Sequence, residues 1–323
     1  MSAISAEFPC LFFANALGDH ILSYPAISAM AEAYPGRITL LALCGRGDLF
    51  FSELDLRAVH EVRPLRDAGD TLGGAALPVE ALAAAARPCD LFVCLNPWDS
   101  HATRQLAVQL EPDSTVGMFD WYDIHVPLDC DKHSADLAFD VARRVAPAAE
   151  FDRHARPPAF SPAGRTLARE VRAMIPPGTR LLAVHTDTAG AKQWTGARFV
   201  AALEQFVGLA PEYMLLVVGK SHDLPLTGSE LERRTIDACG LPLDRTFPLV
   251  GACDLFLGVD SCMLHAADFH GVPGVGLFGP TAAREFGFRV APHRHVCGDR
   301  MEEIDPAEVA SALHAVHREV VVA

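Results

Sequence analysis

The sequence predicts an α/β protein made of two domains, each with a parallel β-sheet at its centre. Its 323 residues suggest about two domains, and half of them are hydrophobic. Short continuous apolar runs alternate with helical patterns, as buried parallel strands alternate with helices in βα units. The alternation stops at residues 147–164, a segment rich in Pro, Ala and Arg that indicates a linker, and then starts again.

In the first half, apolar runs predict four strands, and two helical patterns accompany them. The helices are expected at about residues 21–33, ended by Tyr34-Pro35-Gly36, and near 101–110. The expected strands are 10–14, 38–43, 91–95 and 114–119.

The second half repeats this arrangement with four expected strands and four expected helices. The strands are 180–185, 214–219, 253–260 and 274–279, and the helices are 196–208, 230–239, 264–270 and 306–320. Asp305 is expected to cap the last helix, and Pro306 to be its first residue. The predicted domains are residues 1–160 and 161–305, followed by a terminal helix in 306–323.

The charge balance argues against nucleic acid or an anionic membrane surface as a partner. Lys and Arg total 27 and Asp and Glu total 41, so the net charge is −14, whereas both of those partners favour a basic surface.

The amino terminus lacks a positive region, Glu7 and Pro9 interrupt its apolar stretch, and no apolar run reaches membrane-spanning length. Nine scattered cysteines are then most simply reduced thiols, so we expect a cytoplasmic protein without a transmembrane segment.

Two glycine-containing segments resemble known phosphate-binding loops only in part. Gly45-Arg46-Gly47 follows an expected strand, but the third glycine of a dinucleotide fingerprint is replaced by Phe50. Gly219-Lys220-Ser221 resembles the end of a P-loop, but Met214 stands where that motif begins with glycine. Neither motif is therefore predicted.

No complete set of metal ligands is found either. His293, His295 and Cys297 would share one face of a strand, and Cys130 with His133 has a ligand-like spacing. Neither group supplies the four ligands of a structural zinc site, so no metal site is expected.

A polar turn follows the first expected strand. It contains Gly18 and Asp19, and a helix begins close by. A carboxylate at this edge of a sheet can act as a general base for a substrate hydroxyl. Asp19 can equally be an N-cap residue that only binds backbone N–H groups, and its position in the sequence favours that alternative.

Two more polar turns follow strands of the second domain. Residues 185–194 offer hydroxyl groups, a small-residue loop and Lys192, which together suit a diphosphate. Residues 258–265 place Asp260 and Ser261 at the start of a short helix whose first N–H groups favour an anion, with His265 on its first turns. The alternatives are a polar loop with a surface lysine, and a histidine packed in the core.

Three of these segments together resemble a known family. The sequences ALGDHILSYPAISAMAEAYPG, KQW and CDLFLGVDSCMLHAADFHGVPGVGLFGPT resemble the lipopolysaccharide heptosyltransferases, which form glycosyltransferase family nine. The resemblance covers both domains, is strongest in the final third and is weak over residues 45–165. It implies the GT-B fold, in which two Rossmann-like domains face each other across a cleft. The second domain would bind most of the donor, and the last helix would cross back to the first domain.

The same resemblance implies an inverting, metal-independent transfer from a nucleotide-sugar donor, with no further cofactor. Asp19 matches the base that deprotonates the acceptor hydroxyl, and Lys192 matches the residue that offsets the charge of the departing diphosphate. The implied donor-binding residues are Gly18, Thr188, Lys192, Asp260, Ser261, Cys262, Met263 and His265.

Three positions depart from the family pattern. Cys262 replaces a glycine where the backbone approaches the phosphates, and Asp187 replaces a neutral hydroxyl residue. Lys220-Ser221-His222, with Asp223 close by, replaces the acidic residue near the nucleoside.

The first domain carries two aromatic and polar clusters after expected strands. Aromatic rings flanked by Asp and His suit sugar or aglycone recognition, although ordinary loop packing is an equal alternative. The candidate acceptor-binding residues are Trp98, His101, Trp121, Tyr122 and His125. Because this domain has few lysines, although Arg46 and Arg104 are present, the acceptor is expected to be less anionic than a lipopolysaccharide core. A small metabolite, an aglycone, a glycan or a peptide fits this expectation.

The sequence thus predicts a glycosyltransferase that moves a heptose-type sugar from a nucleoside-diphosphate donor, with ADP-heptose favoured, to an acceptor hydroxyl. An epimerase-like enzyme, a transferase using another nucleotide sugar in natural-product biosynthesis, and a non-catalytic binding protein of the same fold remain alternatives. An NAD-dependent dehydrogenase ranks behind these because the glycine fingerprint is incomplete.

Overall fold

The chain divides into two compact units. A computed structural model describes residues 4–43, 45, 47–63, 77–188 and 190–321. The first unit is Met1–Ala159 and the second is Phe160–Ala323. Each unit contains a parallel sheet, as the alternation of strands and helices predicts, but each sheet has six strands where four were expected.

The first unit has an all-parallel sheet in the order β3-β2-β1-β4-β5-β6. Its strands are β1 (Pro9–Phe13), β2 (Thr39–Leu43), β3 (Ala58–Val62), β4 (Leu91–Cys94), β5 (Ser114–Gly117) and β6 (Ile124–His125). Its helices are α1 (Leu17–Ala33), α2 (Gly47–Phe50), α3 (Val79–Ala86), α4 (His101–Leu110), α5 (Ser134–Val145) and α6 (Phe151–His154). The strand order reverses between β1 and β4, and sheets of this kind bind ligands beside the carboxyl ends of the strands at such a point.

The second unit repeats this topology in the order β12-β11-β10-β7-β8-β9, again with parallel pairs. Its strands are β7 (Arg180–His185), β8 (Tyr213–Val218), β9 (Thr235–Asp237), β10 (Leu255–Val259), β11 (Gly274–Phe278) and β12 (His293–Cys297). Its helices are α7 (Pro162–Met174), α8 (Gly196–Leu209), α9 (Leu243–Gly251), α10 (Cys262–Phe269), α11 (Ala283–Phe286) and α12 (Pro306–Val321). Here the order reverses between β7 and β10.

One predicted helix is wrong. Residues 230–239 form a 3-10 turn, Glu232–Arg234, followed by strand β9. Ile236 of this strand pairs with Leu216 of β8. Pairing with an existing sheet edge therefore overrides the local helical pattern, because strand formation depends on neighbours that are distant in the sequence.

The segment expected to be a linker is partly helical. Residues 147–164 include helix α6 and the start of α7, whose N-cap Ser161 accepts a hydrogen bond from the N–H of Gly164. Pro162 is the first residue of α7, where the missing N–H is not needed. Pro162 therefore marks a helix start, whereas Pro157 and Pro158 lie in the non-helical stretch between α6 and α7.

The last helix packs within the second unit. Asp305 accepts a hydrogen bond from the N–H of Ala307, as expected of a cap, and α12 contacts α8, β11 and β12. Val309, Leu313 and Val316 lie in the hydrophobic core of that unit. The expectation that this helix also reaches the first domain stays a prediction. None of the helices in the described part of the chain combines the length and apolar character that a membrane crossing requires.

Candidate functional site

Asp19 lies in the first turn of helix α1, directly after strand β1. The helix begins at Leu17, four residues earlier than predicted, so Asp19 is its third residue and Gly18 its second. Ala16 occupies the N-cap position and makes no side-chain cap. The structure thus excludes Asp19 as the N-cap residue and leaves a half-buried carboxylate at the carboxyl end of β1.

The turn that carries Asp19 is held by buried polar side chains. Nδ1 of His20 donates to the carbonyl of Ala16 at 2.9 Å, and the His20 ring lies 4.8 Å from the ring of Phe13. Oδ1 of Asn96 accepts the N–H of Ala14, which ties the turn after β4 to the end of β1. These hydrogen bonds fix the backbone beside Asp19, which suits a catalytic group.

One candidate acceptor residue, Trp121, lies in a cluster with Asp99 and Arg104. Trp121 donates from Nε1 to Asp99 at 3.1 Å, and Nε of Arg104 donates to both oxygens of Asp99 at 3.1 Å. The guanidinium carbon of Arg104 lies 5.4 Å from the centre of the Trp121 ring. Arg104 also holds the pKa of the Asp99 carboxyl below its usual value. The cluster therefore presents an aromatic ring beside a neutralised ion pair.

Tyr122 is placed differently, because it packs into the core of the first unit. It is 5% exposed, and its ring is stacked 3.6 Å from that of Trp121. Burial raises the pKa of Tyr122, so its phenol is neutral.

Trp98 is half-buried in the turn after β4, His101 is exposed at the start of α4, and His125 is exposed on β6. Arg46 lies outside the described residues. The role of these side chains in binding an acceptor stays a prediction.

In the second unit, the turns after β7, β10 and β11 meet at Asp260. Asp260 is buried, with 5% of the residue exposed. Its Oδ2 lies 3.0 Å from Nζ of Lys192 and accepts a hydrogen bond of 2.8 Å from the hydroxyl of Thr281. The hydroxyl of Thr188 donates to the backbone carbonyl of Asp260 at 3.3 Å. Three of the residues implied by the family resemblance therefore lie together at the point where the strand order reverses.

Ser261 is the N-cap of helix α10, directly after Asp260. No side-chain hydrogen bond caps the helix there, and Oγ of Ser261 has no partner among the described residues. Cys262 is the first helical residue and is half-buried, whereas Met263 and His265 are 3% and 4% exposed. The first N–H groups of a helix and its dipole favour an anion, so a phosphate suits this position beside Lys192.

Two of the departures from the family pattern have a structural role. Oδ2 of Asp187 accepts the backbone N–H of Lys220 at 3.2 Å, which ties the turn after β7 to the turn after β8. Oδ2 of Asp223 accepts the N–H of Gly196, the first residue of α8, at 3.3 Å. Nε2 of His222 lies 3.6 Å from Oδ2 of Asp237. Asp187, Asp223 and Asp237 therefore contact other groups of the protein around this turn.

Other polar residues of the 185–194 segment support the backbone. Nδ1 of His185 donates to the carbonyl of Val218 at 2.9 Å, and burial lowers the pKa of this histidine. Trp194 is 2% exposed and packs 4.8 Å from the Phe199 ring, so it belongs to the core. Thr281 is the last residue of the third motif, but it is not among the predicted site residues.

Within the described ranges, no group of three or more His, Cys, Asp and Glu side chains is arranged to hold a metal ion. The candidate centre around Asp260 instead contains one lysine and two hydroxyl groups.

The fold is similar to solved structures of glycosyltransferases. A family 9 glycosyl transferase from Veillonella parvula is 18% identical, with a TM-score of 0.75 over 98% of this chain and 99% of that chain. E. coli heptosyltransferase II is 15% identical, with a TM-score of 0.68 over 96% and 98%. E. coli heptosyltransferase WaaC with ADP is 12% identical, with a TM-score of 0.66 over 95% and 99%. At these identities the likeness shows the fold, which is the one that the motif resemblance predicts.

No model of a protein family matches the sequence, and no curated protein matches it. The three motifs and the fold therefore carry the relation to these enzymes.

Proposed function

We propose that this protein is a glycosyltransferase that uses a nucleoside-diphosphate sugar. The observation that carries the proposal is the convergence of Lys192, Thr188 and Asp260 at the strand-order reversal of the second sheet, beside the start of α10. A lysine, a hydroxyl group and helix N–H groups supply the positive potential that a diphosphate needs. The fold of the solved heptosyltransferases supports the same function.

In the proposed reaction, the diphosphate binds at the start of α10 and Lys192 stabilises it as it leaves. Asp19 takes the proton of the acceptor hydroxyl while that oxygen attacks the anomeric carbon. The attack inverts the configuration at that carbon. Fixed donors and the helix dipole stabilise the leaving group, so the proposed transfer is independent of metal ions.

ADP-heptose is the proposed donor. The sequence motifs resemble those of heptosyltransferases, and the WaaC structure of similar fold contains ADP. The acceptor is proposed to be a molecule less anionic than a lipopolysaccharide core. The Asp99–Arg104 pair supports this proposal, because Asp99 already neutralises the arginine that lies over the Trp121 ring.

Calorimetric titration with ADP, GDP, UDP and dTDP tests the nucleotide site. We expect one diphosphate to bind selectively in EDTA, and Lys192→Ala to weaken that binding, because the variant removes a positive charge from the site. Lys132→Ala is the matched control, since Lys132 pairs with Asp140 in the first unit. Absence of binding to all four would contradict the proposal and favour a non-catalytic protein.

Metal independence and acceptor dependence are tested with the selected donor. TibC, a heptosyltransferase of similar fold from E. coli, contains iron, so transfer is compared in EDTA, ferrous iron and Mg²⁺. Equal rates in all three support the proposal, and a requirement for either metal contradicts it.

Consumption of the donor without any acceptor would instead indicate an epimerase-like enzyme. Transfer to a lipid A–Kdo acceptor, with none to neutral acceptors, would overturn the proposed acceptor class.

A further inference from the structure

One oxygen of Asp260 is shared by two partners of different character. Oδ2 accepts the Thr281 hydroxyl at 2.8 Å and lies 3.0 Å from Nζ of Lys192. The Asp260 side chain is 7% exposed. A carboxylate buried to this degree is strongly unfavourable without a partner, so the loss of both would destabilise the site.

The two partners differ in their freedom to move. Lys192 has a long side chain that is 32% exposed, and it belongs to the 3-10 turn Gly190–Lys192. Its ammonium group can rotate towards another anion. Thr281 has a short side chain on the turn after β11, and its hydroxyl is neutral. A diphosphate at the start of α10 would therefore compete with Asp260 for Lys192 and would leave the Thr281 contact in place.

We propose that Thr281 is a positioning residue of the donor site. It holds Asp260 in place while Lys192 turns from that carboxylate to the diphosphate of the donor. The inference rests on the proposed function, and it assigns to Thr281 a role that neither the motifs nor the fold supply. Without Thr281, the approach of Lys192 to the donor would leave the buried Asp260 oxygen unpaired.

Thr281→Val tests this role, because valine keeps the shape of threonine and removes its hydroxyl. We expect the Kd of the selected nucleoside diphosphate to rise about tenfold to a hundredfold, the range for a hydrogen bond to a charged group. Thr281→Ser retains the hydroxyl and is expected to bind close to the wild-type level. Thr246→Val is the matched control, because that buried hydroxyl donates to the backbone carbonyls of Leu241 and Pro242.

A double-mutant cycle with Lys192→Met separates positioning from a general structural effect. In the Lys192→Met background no ammonium group leaves Asp260 when the diphosphate binds, so adding Thr281→Val is expected to change Kd little. A merely structural role would raise Kd by the same factor in both backgrounds. Unfolding curves are measured first, and Thr281→Ala replaces Thr281→Val in the cycle if the valine variant does not fold.

The outcomes distinguish this inference from the function on which it rests. A wild-type protein that binds no diphosphate overturns both. A wild-type protein that binds while Thr281→Val binds equally well overturns the positioning role alone, and so do equal effects in the two backgrounds. A large effect with Lys192 present and a small one without it supports the role of Thr281.

Discussion

Three aspartates of the second unit have different partners, and the partners decide which carboxylate can respond to a ligand. Asp187 and Asp223 accept hydrogen bonds from backbone N–H groups at Lys220 and Gly196. Backbone partners cannot leave without disrupting a turn or a helix end. Asp260 instead binds the side chain of Lys192, which can exchange one anion for another. Asp260 is therefore the carboxylate whose surroundings a donor can change.

At Asp19, the prediction is a loss of transfer without a loss of folding. In Asp19→Asn the amide keeps the size of the carboxylate but cannot accept the proton, so kcat should fall roughly a hundredfold to ten-thousandfold. Calorimetry should still show nucleotide binding, and release of the nucleoside diphosphate measures the rate. Asp113→Asn is the control, because Asp113 is exposed at the amino end of β5. A near-normal kcat for Asp19→Asn would remove this residue from the role of base.

Among the elements, central strands and edge strands differ in how clearly the sequence shows them. Strands β10 and β11 are buried at all five positions, so each forms a continuous apolar run. Strand β3 lies at the edge of the first sheet, its burial alternates, and it was not predicted. Strand β9 lies at the edge of the second sheet, and its sequence pattern predicts a helix. The strands that precede Asp19, Lys192 and Asp260 are central in their sheets. The turns after these strands could therefore be located from the sequence.

Strand β5 gives a stability prediction through Gly117. A Cβ atom at this position would lie 2.3 Å from a ring carbon of Tyr122, and the stack on Trp121 limits any movement of that ring. Gly117→Ala should therefore lower the free energy of unfolding by about 1–3 kcal/mol. Gly208→Ala is the matched control, because a Cβ atom there in helix α8 meets no neighbour within 4 Å.

For Gly208→Ala we expect a gain of about 0.5–1 kcal/mol, because alanine loses less backbone entropy than glycine in a helix. Urea unfolding of both variants provides the measurement. Equal effects at the two positions would show that the Tyr122 ring can move aside.

Across the whole molecule, buried histidines link stability to pH. Burial lowers the pKa of His154, His185 and His314, and it lowers the pKa of His270 to about 4. The His270 ring is stacked on Phe160 with centroids 5.8 Å apart, and its Nε2 has no partner among the described residues. These histidines are neutral in the folded protein at neutral pH.

We therefore expect the protein to lose stability as the pH falls from about 6.5 towards 4. In this window the unfolded chain takes up protons, since an exposed histidine has a pKa of about 6.5, while the folded His270 stays neutral until about pH 4. Its contribution to the loss is up to about 3 kcal/mol. Urea unfolding at pH 7, 6 and 5 measures the slope, which His270→Gln should reduce. His101→Gln, at an exposed position, should leave the slope as it is, and an unchanged slope in His270→Gln would contradict the assignment.

Patterns in the sequence alone predict the alternation of buried strands and helices, the repetition of that pattern in a second half, and the turns that contain Asp19, Lys192 and Asp260. These features are local, because apolar runs and turn residues act within a few positions of the chain. The resemblance of three motifs then indicated the fold that the comparisons show.

The hydrogen-bond partner of each polar side chain depends on the tertiary structure. Thr281 lies 21 residues beyond Asp260, and Lys192 lies 68 residues before it. They meet because β7, β10 and β11 are neighbours in register, which brings the turns after these strands to one edge of the sheet. For the same reason, residues with a helical sequence pattern form strand β9 beside β8, and Asp187 binds the turn after β8. Such contacts follow from strand order and register, which a sequence pattern of a few residues does not contain.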